Sequence, residues 1–222
     1  MVLDYLDDGA QRLVLVLCLP LVDGVFATLL VTGAVETFSD FVAISLTIFS
    51  GAGSVAVLYS HSETRNEARR MVMQAAPILI AGSLAVAMVA PVFDQVFHVS
   101  RLRYAAGLAL LVIAANLVDL EISDKFTVPA ILLTGFMLSV RNPSALGITY
   151  SYVVPALATS SLAVAGLLVA ASVPQERLSI RYLQGGGSLV LLTIAASLFG
   201  VEMPSGVSLT VLAAAIIASV RR

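Results

Sequence analysis

Two stretches of this chain, Met71–Phe93 and Leu146–Val173, run without a single charged side chain. A helix that is apolar all round is stable only when wholly enclosed by other protein or immersed in lipid, and about 20 apolar residues match the roughly 30 Å hydrocarbon core of a bilayer. Composition selects lipid. Of the 222 residues 59% are hydrophobic and 12% charged, with a mean hydropathy of +1.00, whereas soluble domains carry about 25% charge. The formal net charge of -2 and the absence of a Lys/Arg cluster exclude a nucleic-acid surface. The lone cysteine, Cys18, forms no internal disulfide and supplies no metal cluster.

Charge punctuation divides the chain into eight apolar segments: Leu13–Val35, Phe41–Tyr59, Met71–Phe93, Tyr104–Leu117, Phe126–Val140, Leu146–Val173, Gly187–Phe199 and Ser205–Val220. The expectation is an all-α polytopic transmembrane bundle of about eight spans, forming one integral membrane domain over residues 1–222. The first segment is retained as mature structure, because Asp4, Asp7 and Asp8 stand where a signal peptide carries positive charge. Cytoplasmic loops gather Lys and Arg. Eight spans with both termini cytoplasmic put Arg12, Arg65, Arg69, Arg70, Lys125, Arg177, Arg181, Arg221 and Arg222 inside, against Arg101, Arg103 and Arg141 outside. The location expected is therefore the cell membrane.

Many transporters are built from duplicated helix sets. Pro20-Leu21-Val22-Asp23 followed by Leu30-Val31-Thr32-Gly33 echoes Asn116-Leu117-Val118-Asp119 followed by Leu132-Leu133-Thr134-Gly135. The echo suggests repeat units 11–117 and 118–222, four spans each. An even number of spans per unit makes such a repeat parallel.

A carboxylate near mid-bilayer costs about 2.5 kcal/mol or more and persists where it faces a cavity, a partner or a pathway. Asp23 lies well inside the first segment between Pro20 and Gly24, a pair that opens a helix and frees backbone carbonyls. Carbonyls beside a carboxylate are ligands for hard cations, and the carboxylate can also shuttle a proton. The second acidic group is Asp119, Glu121 and Asp124, beside Lys125, the only lysine; it reads either as a cation mouth or as a solvated loop. Glu36 and Asp40 read as a polar cap. Asn116 and Asn142 can hold an ion or bond a neighbouring helix.

No His-x-x-x-His, Cys-x-x-Cys or Glu-x-x-His spacing occurs, and His61 and His98 fall at opposite span ends. A buried serine nucleophile would have no histidine base, so no enzymatic activity and no cofactor are expected. Gly51-Ala52-Gly53-Ser54 and Ala81-Gly82-Ser83 read as small faces for close helix packing. Gly185-Gly186-Gly187-Ser188 reads as a joint or an anion nest ahead of the seventh span.

Nearly the whole chain resembles an uncharacterised family of haloarchaeal multi-pass membrane proteins, through Leu19-Pro20-Leu21-Val22-Asp23-Gly24-Val25-Phe26 and Ser197-Leu198-Phe199-Gly200-Val201-Glu202-Met203-Pro204-Ser205. Glu121-Ile122-Ser123-Asp124-Lys125-Phe126 resembles the Glu-x-Gly-Asp-Lys-Thr motif of the lysine-exporter superfamily, with Ser for Gly and Phe for Thr. That resemblance implies that Asp23, Glu121 and Asp124 coordinate a cation. The expected function is a small secondary cation transporter coupled to protons or sodium. Its partners are the lipid bilayer and a cation substrate, with a homo-oligomer left open. The alternative is a non-transporting subunit whose basic loop Arg65–Arg70 docks a protein or anionic lipid.

Overall fold

The computed structural model describes residues 6–35, 38–119, 127–141, 150–202, 204 and 206–219. The fold is all-α, with ten α-helices among these residues: α1 (Asp8–Val22), α2 (Val25–Val31), α3 (Phe38–Ile44), α4 (Ala52–Ser60), α5 (Arg65–Val96), α6 (Val99–Leu117), α7 (Val128–Ser139), α8 (Val153–Ser172), α9 (Ile180–Leu198) and α10 (Val207–Ser219). A π-helical turn, Ser45–Phe49, extends α3.

Each of the eight apolar segments contains helix, but not every helix crosses a bilayer by length. Three are long and apolar enough, α5, α6 and α8; the number rises to five if α1 with α2 and α3 with α4 each count as one span, bent by 45° and 44° at their breaks. α7 and α10 are shorter apolar helices of 12 and 13 residues. The reason lies in how the chain turns back. Gly107 on α6 packs against the Phe199 ring at the end of α9, and Gly187 near the start of α9 packs against Leu117 at the end of α6. The two helices are therefore antiparallel and staggered, and at 1.5 Å per residue each stops about 10–12 Å short of the other's start.

α5 starts where its sequence dictates. Thr64 accepts from the Glu67 N–H, while the Glu67 carboxylate accepts from the Thr64 and Glu63 N–H groups, a reciprocal cap that satisfies otherwise orphaned donors. Pro77 and Pro91 lie inside this helix. α1 runs parallel to α5, Gly9 facing Met71 and Gly82 facing Leu21; Gly82 thus makes the close approach expected of it. Arg69 donates to Ser172 at the end of α8 (3.0 Å), and Tyr59 at the end of α4 donates to Ala170 O (2.9 Å) and Val173 O (3.2 Å). These bonds gather the start of α5 and the ends of α4 and α8 at one end of the bundle. Asp7 joins them through Arg70, at 3.2 Å. Ser219 joins through the Ser179 N–H, which donates to its carbonyl, so residues 7 and 219 lie at the same end. Arg101 and Arg141 lie at the other, where Arg141 N–H donates to Val96 O.

α2 is buried along its whole length. Around it the core is built from small and branched side chains, Ala10, Leu13, Leu29, Leu79, Leu110 and Ala195 among them. Phe93, Phe97 and Phe136 form a ring cluster with centroids 5.1–5.4 Å apart at the α5–α6 junction.

The division at residue 117 does not match the helices. Both broken helix pairs fall before it, and among the described residues none follows. Gly185–Gly187 also departs from expectation: it lies within α9, where a Cβ on Gly186 would overlap that of Ala215. It is a packing face rather than a joint. Gly186→Ala therefore lowers stability by about 1–3 kcal/mol through overpacking, whereas Gly185→Ala, which meets nothing within 4 Å, is neutral or stabilising. Thermal unfolding in detergent distinguishes them, and equal effects would contradict this packing.

Candidate functional site

The two bent helices break beside one another. In the first, Pro20 has no N–H to give the carbonyl one turn back, that of Val16. The Asp23 N–H closes α1 on Leu19 O (2.9 Å), and Gly24 takes a left-handed φ of 80° that turns the chain into α2. Thr28 then ties the new helix to the break, its hydroxyl donating to Gly24 O at 2.7 Å.

In the second, the π turn is made by Ser50 N–H donating five residues back to Ser45 O (2.9 Å), backed by the Ser50 hydroxyl on the same oxygen (3.0 Å). A π turn inserts one residue into the helix and pushes carbonyls off the ladder. Gly51 follows because the Thr47 carbonyl lies against its Cα; any Cβ there would overlap that oxygen. The break thus falls at Ser50–Gly51; within α4, Ala52 and Ser54 are buried as a small packing face, whereas a Cβ on Gly53 would meet nothing.

Between the breaks lies a cavity of about 240 Å³, bordered by Val16, Pro20, Asp23, Thr47, Gly51 and Asn116 among others. Asp23 is partly exposed in it, and among the described residues no side chain pairs with its carboxylate. Thr47 is 6% exposed, and its hydroxyl oxygen is buried with no hydrogen-bond partner. Such a group costs about 1–3 kcal/mol, so its presence needs an explanation. Asp23 and Asn116 place a carboxylate and an amide on the wall of an otherwise largely apolar cavity beside the two helix breaks, and carboxylate and carbonyl oxygens are the ligands hard cations take.

The predicted residues divide accordingly. Asp23, Pro20 and Gly24 form the first break as expected. Asn116 borders the cavity from the last turn of α6. Asp119 does not; it is exposed just beyond, with a positive φ of 55°. Glu121, Asp124 and Lys125 lie outside the described residues, as do Glu36 and Asn142. Among the described residues no three His, Cys, Asp or Glu side chains converge on a metal site. Asp40 borders a second cavity, described below. Sequence reasoning missed Thr47. The signal was Ser45 and Thr47 leading into Ser50-Gly51 in mid-span, a polar run interrupting an apolar one.

Three helices long and apolar enough to cross a membrane, with two further pairs broken around a cavity, are the features of a helical membrane protein. Residues 79–199 match the model of a family of unknown function (DUF5794); the match covers more than half of the chain, and the chain belongs to that family. No curated protein and no solved structure matches it. The matched region runs from α5 to the end of α9 and leaves the Asp23 break outside. The comparisons bring no link to the lysine-exporter superfamily.

If the Thr47 hydroxyl serves the cavity rather than the fold, Thr47→Val removes an unpaired buried polar atom and leaves the melting temperature unchanged or raised. A loss of about 1 kcal/mol or more, the worth of a typical hydrogen bond, would show instead that the fold uses it.

Proposed function

We propose that this protein is a small secondary transporter of a cation, coupled to protons or sodium, with Asp23 as the coordinating or coupling carboxylate. The observation that carries the reading is the Asp23 carboxylate, with no side-chain partner among the described residues, in a cavity that Thr47, whose buried hydroxyl also lacks one, borders. Both sit where two helices are broken, and broken helices around a mid-membrane cavity are how transporters present backbone carbonyls to an ion. Asp119 adds an exposed carboxylate just beyond α6; Glu121 and Asp124, outside the described residues, are the further candidate carboxylates of this reading. No covalent step is involved. The Asp7–Arg70 end faces the cytoplasm in this reading, since Arg12, Arg65, Arg69, Arg70 and Arg181 gather there. In this reading α1–α2, α3–α4, α5 and α8 cross the membrane, and the hairpins α6–α7 and α9–α10 enter it from opposite ends.

The scaffold alternative draws less support. Arg69 and Arg70 already bond to Ser172 and Asp7 within the chain, leaving Arg65 of that loop for a partner.

The test is a proteoliposome flux assay under an imposed proton gradient, with sodium, potassium, calcium and manganese in turn. Wild-type protein dissipates the gradient with one of these ions, while Asp23→Asn, eluting as a folded protein, reduces flux to the background of empty vesicles. Undiminished flux through Asp23→Asn would sink the assignment. A separate readout concerns the break itself: Gly24→Ala places a Cβ at φ 80° and costs about 1–2 kcal/mol, visible as a lower melting temperature.

A further inference from the structure

A second cavity of about 350 Å³ lies at the other end of α2, bordered by Thr32, Ser39, Asp40, Arg103, Ser197 and Ser208 among others. α2 thus connects two cavities, one at each of its ends. They are related by more than position. The Asp23 cavity is bordered by Ile113, Asn116, Leu117 and Val128; the second is bordered by Ile194, Ser197, Leu198 and Ser208. These are corresponding residues of two equivalent helical hairpins, α6–α7 and α9–α10.

Four independent features fix that correspondence. α6 and α9 each have 19 residues, capped by His98 and Ser179. Each hairpin is closed by the same bond, His98 N–H to Ser139 O (2.7 Å) and Ser179 N–H to Ser219 O (2.9 Å), from the cap of the first helix to the last residue of the second. Each first helix leaves through a left-handed residue in the same register, Asp119 (φ 55°) and Gly200 (φ 90°). Each hairpin crosses most closely at matched sites, Ala105 on Gly135 in one and Gly186 on Ala215 in the other. In that register LALLVIAANL at 108–117 aligns with LVLLTIAASL at 189–198, and Ser139-Val140-Arg141 with Ser219-Val220-Arg221.

α5 and α8 extend the correspondence, each leading into its hairpin and packing antiparallel through Arg69 and Ser172. Units of three helices that run antiparallel have opposite orientations in a bilayer, so their symmetry axis lies in the membrane plane. The hairpins enter from opposite ends, and α6 and α9 each stop about 10–12 Å short of the other's start.

We propose that the Asp40–Arg103 cavity is a second binding station for the solute held at Asp23, related to the first by an inverted repeat of α5–α7 and α8–α10. Each station is bordered by the facing helix ends of one hairpin, Asn116 and Val128 at the first and Ser197 and Ser208 at the second, and the solute path runs alongside α2. Its ligand class is that of the first, a small hydrophilic cation. Its wall carries both signs, Asp40 and Arg103, the Arg103 guanidinium donating to Thr32 O at 3.2 Å. A cation is therefore held less tightly there than at Asp23, as suits a station of passage.

This inference rests on the transport reading, but it is tested separately by cysteine accessibility in a Cys18→Ser background. Gly53→Cys and Asn116→Cys place a thiol in the first cavity, Ser197→Cys and Ser208→Cys in the second. Gly53 has open space for a side chain, and Asn116 and Ser197 are exposed, so none of these three disturbs the core. The probe is a membrane-impermeant methanethiosulfonate bearing a quaternary ammonium, applied to oriented vesicles. The first pair is modified only from the side bearing Asp7 and Arg70, the second pair only from the opposite side. Modification of both pairs from one side, or none of Ser197→Cys and Ser208→Cys from either, overturns the proposal whatever the flux through Asp23→Asn. Side-selective labelling together with full flux in Asp23→Asn would retain the two stations and remove Asp23 as the coupling group.

Discussion

A peptide group without a hydrogen-bond partner in hydrocarbon costs several kcal/mol, so a helix can be interrupted inside a bilayer only where other protein covers the interruption. This chain interrupts two helices, and much of the remaining architecture encloses the result. α2, the short piece beyond the first break, is buried along its length. α5 covers one flank with a helix of 32 residues. The π turn recovers its own bonds through Ser45 and Ser50. Among the described residues the buried side-chain polar atoms without a partner are the Thr47 hydroxyl and a side-chain oxygen of Gln74.

Close packing follows from the same constraint. Lipid tails are as apolar as leucine, so helices in a membrane are held by fit rather than by hydrophobic exclusion, and fit requires small residues. The glycines at 107, 135, 166, 186 and 187 each lie where a neighbouring helix leaves little or no room for a Cβ. Among the described residues ion pairing contributes little. The Asp7–Arg70 contact is exposed on both sides, and surface pairs of that kind are worth at most about 1 kcal/mol.

Apolar runs and the Asp23 break were legible because both rest on local chemistry: length without charge, and proline and glycine beside a carboxylate. The relation between helices was not. An apolar helix surrounded by lipid has no polar face, so hydropathy does not reveal which side meets protein or in what register. The short echo of Pro20–Asp23 in Asn116–Asp119 suggests a division at residue 117, while the longer likeness of 108–117 to 189–198 lies in leucine, isoleucine and alanine, the residues any such helix is made of. Thr47 was hidden for another reason. A hydroxyl in a helix ordinarily bonds the carbonyl one turn back, as Thr28, Thr32 and Thr159 do here, and this one, inside the π turn, does not.

The hairpin crossings carry a consequence for how such a chain can vary. In one, the methyl belongs to the first helix and the bare backbone to the second, Ala105 on Gly135; in the other the roles are exchanged, Gly186 on Ala215. What the architecture conserves at each crossing is a total, one side-chain carbon shared between two helices, and the allocation of that carbon is free. Compared position by position, the two halves differ at both sites; compared crossing by crossing, they are the same.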